Sequence, residues 1–462
     1  MEYRTDEDVL GKVKVPKGAY YGPETQRTLN NFYASGVRVP FGMIRAYALL
    51  KKAAAVANVR DGKLDKKVAR AISQACNEIL SHKLDDQFVV DIFQAGAGTC
   101  TNMNVNEVVA NRACEILGGK KGEYKRVHPN DHVNMSQSTN DTAPSVVHIA
   151  TYLALEEQLL PELGMLEEAL RGKSVMFKDI VKVGRTHLQD AVPMTLGQEF
   201  SGYYQAVESA REMVLDAQRR LLDLPLGGTA VGTMINADER YMKYAVEELG
   251  RLTGADFRAA KRRFAMMQQR LEELAVADAL KEAATAINKI SNDLRLLASG
   301  PRGGLAEITL PEVLPGSSIM PGKINPSIPE MVNMVCHKVI GSCATVTEAA
   351  NGGQLEINVF TPLIGYELLF SIRTLSNAVH ALCERCVRGI GANAEKISQY
   401  VDMDISIATA LSPYIGYAKA SEIARRAYKE GKSVKQVCIE MKVMDRKRLD
   451  EVLDPRRHLG KA

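Results

Sequence analysis

From Phe264 to Ser299 the chain runs for 36 residues without a proline or a glycine. At about 1.5 Å of rise per residue a helix of that length is a rod of about 54 Å. Along it Leu271, Leu274, Leu280, Ala283, Ile287, Ile290, Leu294 and Leu297 occupy more than one stripe, so a single partner helix cannot cover them and several neighbours are required. The same apolar periodicity returns at 146–172, 197–222 and 327–390, the last interrupted near Asn351-Gly352-Gly353. A chain of this texture is expected to be all-α, with a central long-helix bundle. It offers only about five such helices, so part of their apolar surface is expected to be shared with other subunits.

The flanks read differently. Residues 1–140 mix helices with punctuated loops such as YYGPETQ and FQAGAGTCTNMN, residues 141–393 carry the long helices, and residues 394–462 turn charged again, with YAKASEIARRAYKEGKSVKQ and MDRKRLDEVL reading as small amphipathic helices. Three domains are expected on these bounds. Strand signals are few, chiefly DIVKVGRTHLQ. Lys plus Arg total 59 against 55 Asp plus Glu, with no basic run interleaved with aromatics, which argues against a nucleic-acid partner. The start, MEYRTDEDVLGKVKVP, lacks the basic-then-apolar order of a signal peptide, and no uncharged apolar run approaches the roughly 18 residues of a membrane span. A cytoplasmic protein without a membrane partner is expected. Cys383 and Cys386 form a lone CxxC with no second pair or histidine at finger spacing, so reduced, helix-packing thiols are expected and no metal site. There is no GxGxxG after a strand, no P-loop, no HExxH and no GxSxG, which leaves no motif for a nucleotide or metal cofactor.

Four polar islands interrupt this packable sequence: GAGTCTN at 96–102, SQSTND at 136–141, GRTHLQD at 184–190 and GSSIMPGKINP at 316–326. Small residues let backbone N–H groups approach a ligand, while Ser, Thr and Asn supply neutral donors, a combination that suits carboxylates. Taken alone, SQSTND also reads as the cap of a helix near Pro144, and GRTHLQD as a loop with an ordinary histidine. The fourth island resists a purely structural reading. Pro315-Gly316 and Pro321-Gly322 forbid regular helix around the serines, so their hydroxyls and N–H groups are not consumed by a helical ladder. Lys323 and Asn325 stand just before a helix starting near Ser327, whose N-terminus favours anions.

Over essentially its whole length the chain resembles the aspartase/fumarase superfamily, whose signature GSSxMPxKxNP is matched by GSSIMPGKINP, with the other islands in the same order. The resemblance implies an all-helical, three-domain subunit, a homotetramer with active sites each built from three subunits, and a cofactor-free, reversible anti elimination across the C2–C3 bond of a small dicarboxylate, releasing fumarate. It also implies the roles. Ser317 is the general base. Lys323, Asn325 and Thr186 anchor the C1 carboxylate, and Ser138 and Thr139 hold the carboxylate beside the abstracted proton. Thr99, Asn140 and His187 face the leaving group, with Glu330 orienting His187. The residue types fit this chemistry, because the dianionic aci-carboxylate intermediate needs preorganised donors where its charge develops.

The leaving group is read from smaller differences between two branches of the superfamily. YYG at Tyr20, DQF at Asp86, GAGT at Gly96, QSTND, GQEF at Gly197 and GGQLEINV at Gly352 resemble aspartases, whereas HPND at His128, LGGTAVGT at Leu226 and NVFTP at Asn358 resemble fumarases. FAMMQQRLEEL, 264–274, follows neither. The balance points to an ammonia-lyase converting L-aspartate to fumarate and ammonia. The alternative is hydration of fumarate to malate, and a more remote one is a non-catalytic structural member of the fold.

Overall fold

The computed structural model describes residues 2–460. A charged antiparallel hairpin, β1 (Tyr3–Asp8) and β2 (Gly11–Pro16), comes first. The sequence signal misses it because little apolar surface holds it: Arg4 instead binds the carbonyls of Pro16, Ala19 and Tyr21. Helices α1 (Pro23–Asn31), α2 (Phe41–Arg60), α3 (Lys66–Leu80) and α4 (Thr99–Ile116) follow. Next, α5 (Thr139–Ala154) continues through one π-turn at Leu155–Leu159 into α6 (Leu160–Met176). The expected strand signal becomes a second hairpin, β3 (Val181–Thr186) with β4 (Gln189–Thr195). Then come α7 (Leu196–Arg220), α8 (Glu239–Thr253), α9 (Arg263–Gln268), α10 (Leu271–Leu297), α11 (Ser327–Asn351) and α12 (Thr361–Arg385). The shorter helices beyond are α13 (Ala394–Met403), α14 (Ser412–Ile415), α15 (Tyr417–Glu430), α16 (Val434–Glu440) and α17 (Arg446–Val452).

The long uninterrupted stretch is not one helix. Gln269 is extended (φ −119°, ψ 163°) and separates α9 from α10. The cause is Arg270, whose fully buried guanidinium donates to the carbonyls of Met266 and Asn358 and to the Thr361 hydroxyl. These bonds turn the backbone away from the helical path, and α10 starts afresh with 27 residues, about 40 Å long. Much of the apolar surface of α10 is covered within the chain. Leu280, Ala283, Ala284, Ile287 and Leu294 are fully buried within one chain. Exposed apolar side chains remain on the long helices at Leu271 and Leu296 of α10, 55% and 41% exposed, and at Met334 of α11, 66% exposed.

Contacts group the chain into two compact units. The first comprises the chain through Pro161, Glu212–Ala284 and Lys338–Leu375. In it α2 packs on α3, α5 and α8, and α3 on α4. Gly365 of α12 leaves no room for a Cβ between Met43 and Val147, so that helix lies directly on α2 and α5. The second unit comprises Glu162–Arg211, Thr285–His337 and the chain from Ser376. Its β3–β4 hairpin packs on α13, and Leu411, Ile423, Val437, Cys438 and Leu449 form a small core between α15, α16 and α17. All eight cysteines are buried free thiols. Among the described residues no helix is long and apolar enough to cross a membrane.

Candidate active site

The first unit carries two of the four islands, and it sets them side by side. Thr99 opens α4 after Gly98, whose left-handed backbone (φ +88°) would bring a Cβ within 2.9 Å of Ala143 on α5. Just before it, Gly96 approaches Val359 so closely that a Cβ would overlap its carbonyl, and the Gly96 carbonyl accepts the N–H of Thr361. The glycines of GAGTCTN therefore serve close backbone approach. Ser138 caps α5: its hydroxyl accepts the Asn140 N–H at 3.3 Å while Asp141 accepts the Ser138 N–H at 3.0 Å. The cap reading of this island is thus correct, and it leaves Thr139 and Asn140 half-exposed on the first turn. The Asn140 amide donates to Ala230 O at 2.8 Å, which leaves its side-chain oxygen as an acceptor.

The second unit carries the other two. Thr186 and His187 stand exposed at the tip of the β3–β4 hairpin. His187 and Leu188 both have positive φ, 54° and 60°, as a two-residue type I′ turn demands. Neither is Asn or Gly, and a leucine there is strained by about 1–3 kcal/mol, a cost that persists mainly at functional positions. The hairpin is braced from beneath: buried Glu307 pairs with Arg185 at 2.7 Å and with Lys182 at 2.9 Å.

In the serine loop, the Ser317 hydroxyl oxygen accepts two backbone N–H groups, from Ile319 at 3.2 Å and Met320 at 3.0 Å. The loop is closed at its neck by Gly316 N–H to Lys323 O at 2.9 Å and by the Asn325 amide to Gly316 O at 2.6 Å. Its crown is exposed, with Ile319 at 83%. Lys323 and Asn325 line a cavity of about 560 Å³ that Arg295 and Glu312 also border, so two cations face it against one carboxylate. Glu330 lies in the first turn of α11. Among the described residues no hydrogen bond joins Glu330 to His187, so the orienting contact that the resemblance implies is not made within this chain.

A lyase family model matches residues 11–341, and a fumarase C C-terminus model matches residues 407–458. The chain belongs to the aspartase/fumarase superfamily. An aspartate ammonia-lyase of a Bacillus species is 43% identical over 98% of this chain and 97% of its own length. A class II fumarate hydratase of Thermosynechococcus vestitus is 47% identical over 95% of this chain and 94% of its own. The crystal structure of a class II fumarase from Schistosoma mansoni superposes with a TM-score of 0.96 at 37% identity, covering 98% of each chain. Further bacterial and mitochondrial fumarate hydratases match at 43% to 45% identity.

Around the superfamily islands the structure adds residues that sequence reasoning missed. Asp141 is fully buried, and its second oxygen accepts the N–H groups of Gly227 and Thr229, both at 2.9 Å. It thereby ties the LGGTAVGT loop beneath the α5 N-terminus. Burial pushes its carboxyl up to about 6, an effect only partly offset by those N–H donors. Lys51, on α2, is also fully buried, beside Asn102 and Asn134. Burial pushes its ammonium down to about 7. One signal could have found this network: Asn102, Asn104, Asn106 and Asn111 crowd a single helix that ought to be packable, and buried amides require partners.

Proposed function

We propose that the chain is a fumarate hydratase, interconverting fumarate and malate by addition and loss of water across the C2–C3 bond. The observation that carries the elimination chemistry is the Ser317 hydroxyl, held by two backbone N–H groups in an exposed, glycine-necked loop. Those donors would favour the ionised oxygen, and closure of the loop over substrate would remove the competing water. In this reading Ser317 takes the C3 proton, the electron pair moves into the adjacent carboxylate, and the C2–O bond breaks. His187, in its protonated form and positioned with Thr99 and Asn140, donates a proton to the departing hydroxyl oxygen, which leaves as water. Ser138 and Thr139 hold the carboxylate that gains charge, while Lys323, Asn325 and Thr186 anchor the other. Glu330 orients His187 from another copy of the chain.

Water as the leaving group is supported by the run of fumarate hydratases among the relatives, up to 47% identical over nearly the full chain. The second reading, ammonia from L-aspartate, is favoured by the STND, GAGT and GGQLEINV stretches and by the Bacillus aspartate ammonia-lyase at 43% identity. The composite site implies a homotetramer, with residues 141–393 supplying the shared bundle between an N-terminal part, 1–140, and a C-terminal part, 394–462. No added cofactor or metal is assigned to the reaction. The test is direct: purified protein is given fumarate, L-malate and L-aspartate separately, and fumarate is followed by its ultraviolet absorbance. Turnover of malate at least about a hundredfold faster than aspartate, about 2.7 kcal/mol in transition-state stabilisation, is expected. Faster release of ammonia from aspartate would make the second reading correct.

A further inference from the structure

Among the described residues no carboxylate stands at ion-pair distance from the buried Lys51 ammonium, although the charge of Asp141 favours its protonated form. The ammonium donates to three neutral amide oxygens: Asn102 Oδ1 at 2.8 Å, Asn134 Oδ1 at 2.9 Å and Gln137 Oε1 at 2.9 Å. The residue is fully buried, whereas its neighbour Lys52 reaches Asn77 at the surface. Removing an ammonium from water with no counter-charge in contact is expensive, and apolar packing of α2 would be served better by leucine or methionine. The cost makes sense if an anion completes the site.

The three acceptors also fix a direction. Only oxygen can face the ammonium, so Asn102 must turn its Nδ2 away, and it donates to Thr139 Oγ1 at 3.1 Å and to Asn134 Oδ1 at 3.2 Å. Asn134 and Gln137 are locked in the same sense, since the Asn134 amide donates to Gln137 O and the Gln137 amide to Val133 O. A hydroxyl that accepts a bond from Asn102 keeps its own proton for another partner. Thr139 is half-exposed on the first turn of α5, so that proton is available to a ligand.

We propose that Lys51 is a positioning residue for the dicarboxylate: through Asn102 it holds the Thr139 hydroxyl as an obligate donor toward the carboxylate that gains charge in the reaction. The proposal rests on the reading that Thr139 binds substrate.

The decisive variant is Asn102→Asp. It preserves and strengthens the contact with Lys51, yet a carboxylate cannot donate, so the Thr139 hydroxyl would be turned inward to donate to Asp. With the full-length protein and fumarate or L-malate as substrate, kcat/KM is expected to fall at least about a hundredfold while the thermal unfolding midpoint is not lowered. Lys51→Met is expected to lower kcat/KM at least about thirtyfold. In a Thr139→Val background, which has no hydroxyl to orient, each substitution should cost less than about threefold further. Equal losses in both backgrounds would make the network merely structural and overturn the proposal while leaving the role of Thr139 standing. Near-normal kcat/KM in Asn102→Asp would overturn it as well, even if Lys51→Met fails to fold. If Thr139→Val alone keeps full activity, or the unsubstituted protein turns over no dicarboxylate, the underlying reading fails and the proposal falls with it.

Discussion

Glu307 Oε1 lies 2.7 Å from Arg185 Nη1, and Arg185 stands two residues before His187 on the strand that carries the hairpin tip. Lys182 reaches the other oxygen of the same carboxylate, and all three side chains are largely buried. Removing the carboxylate leaves two cations with little access to water; among the described residues Lys182 keeps Glu199 and Arg185 keeps the distant Asp190 at 3.9 Å. Glu307→Ala should therefore destabilise the protein by about 3–5 kcal/mol, read by urea unfolding. A loss below about 1 kcal/mol would show that the two cations find water or other partners.

Ser317→Ala should leave folding intact and remove at least about a thousandfold of kcat, because no neighbouring group in the loop can replace the base and a half-exposed hydroxyl contributes little to stability. Circular dichroism and steady-state turnover check the two halves. A variant with near-normal kcat would place the base elsewhere.

Gly316→Ala tests the loop neck without touching a side chain of the site. A Cβ at this position would sit 2.3 Å from Lys323 O and 2.8 Å from Asn325 N, far inside contact distance, so the Gly316–Lys323 bond must open. Turnover is expected to fall by about two orders of magnitude or more, because misplacing reacting groups by an ångström is enough to do so, while the melting temperature barely moves. Retained activity would mean that the neck does not set the position of Ser317.

Stability should rise between about pH 7 and 9.5, with Lys51 as a source. Its folded ammonium is held down to about 7 by burial, against about 10.4 in an unfolded chain, so the unfolded state binds the proton more tightly in this window. The contribution is therefore full above the unfolded value and lost as pH falls through the folded one. Asp141 opposes the shift by favouring the charged lysine. Its own carboxyl, raised to about 6, works in the other sense and at lower pH: that contribution is lost as pH rises from about 4 through 6. Lys51→Met should flatten the rise measured by denaturant unfolding at pH 7 and 9.5. An unchanged rise would assign it to a different group.

Light scattering should give the mass of a homotetramer. If each site draws Ser317 and His187 from different subunits, as the resemblance implies, mixing a Ser317→Ala chain with a His187→Ala chain, each inactive alone, should restore some intact sites after subunit exchange. A monodisperse active monomer would remove the composite site and the role given to Glu330 together.

Much of this protein is determined locally and is therefore readable in its sequence. Apolar periodicity marks α5 to α7, α11 and α12, and glycines at 352 and 353 mark the break between the last two. Prolines and glycines around Ser317 and Ser318 define a loop, and Ser138 with Asp141 defines a cap. In each case the cause lies within a few residues of the effect. Tertiary structure decided what depends on partners far along the chain. Arg270 breaks an otherwise continuous helical stretch because Asn358 and Thr361 bind its guanidinium. In the pair Lys51-Lys52, which is symmetrical as a sequence, only the packing of α2 sends the first inward to Asn102, Asn134 and Gln137 and leaves the second at the surface. Periodicity reports which face is apolar, but a buried charge violates that rule, and only the groups that surround it in space can make the violation tolerable.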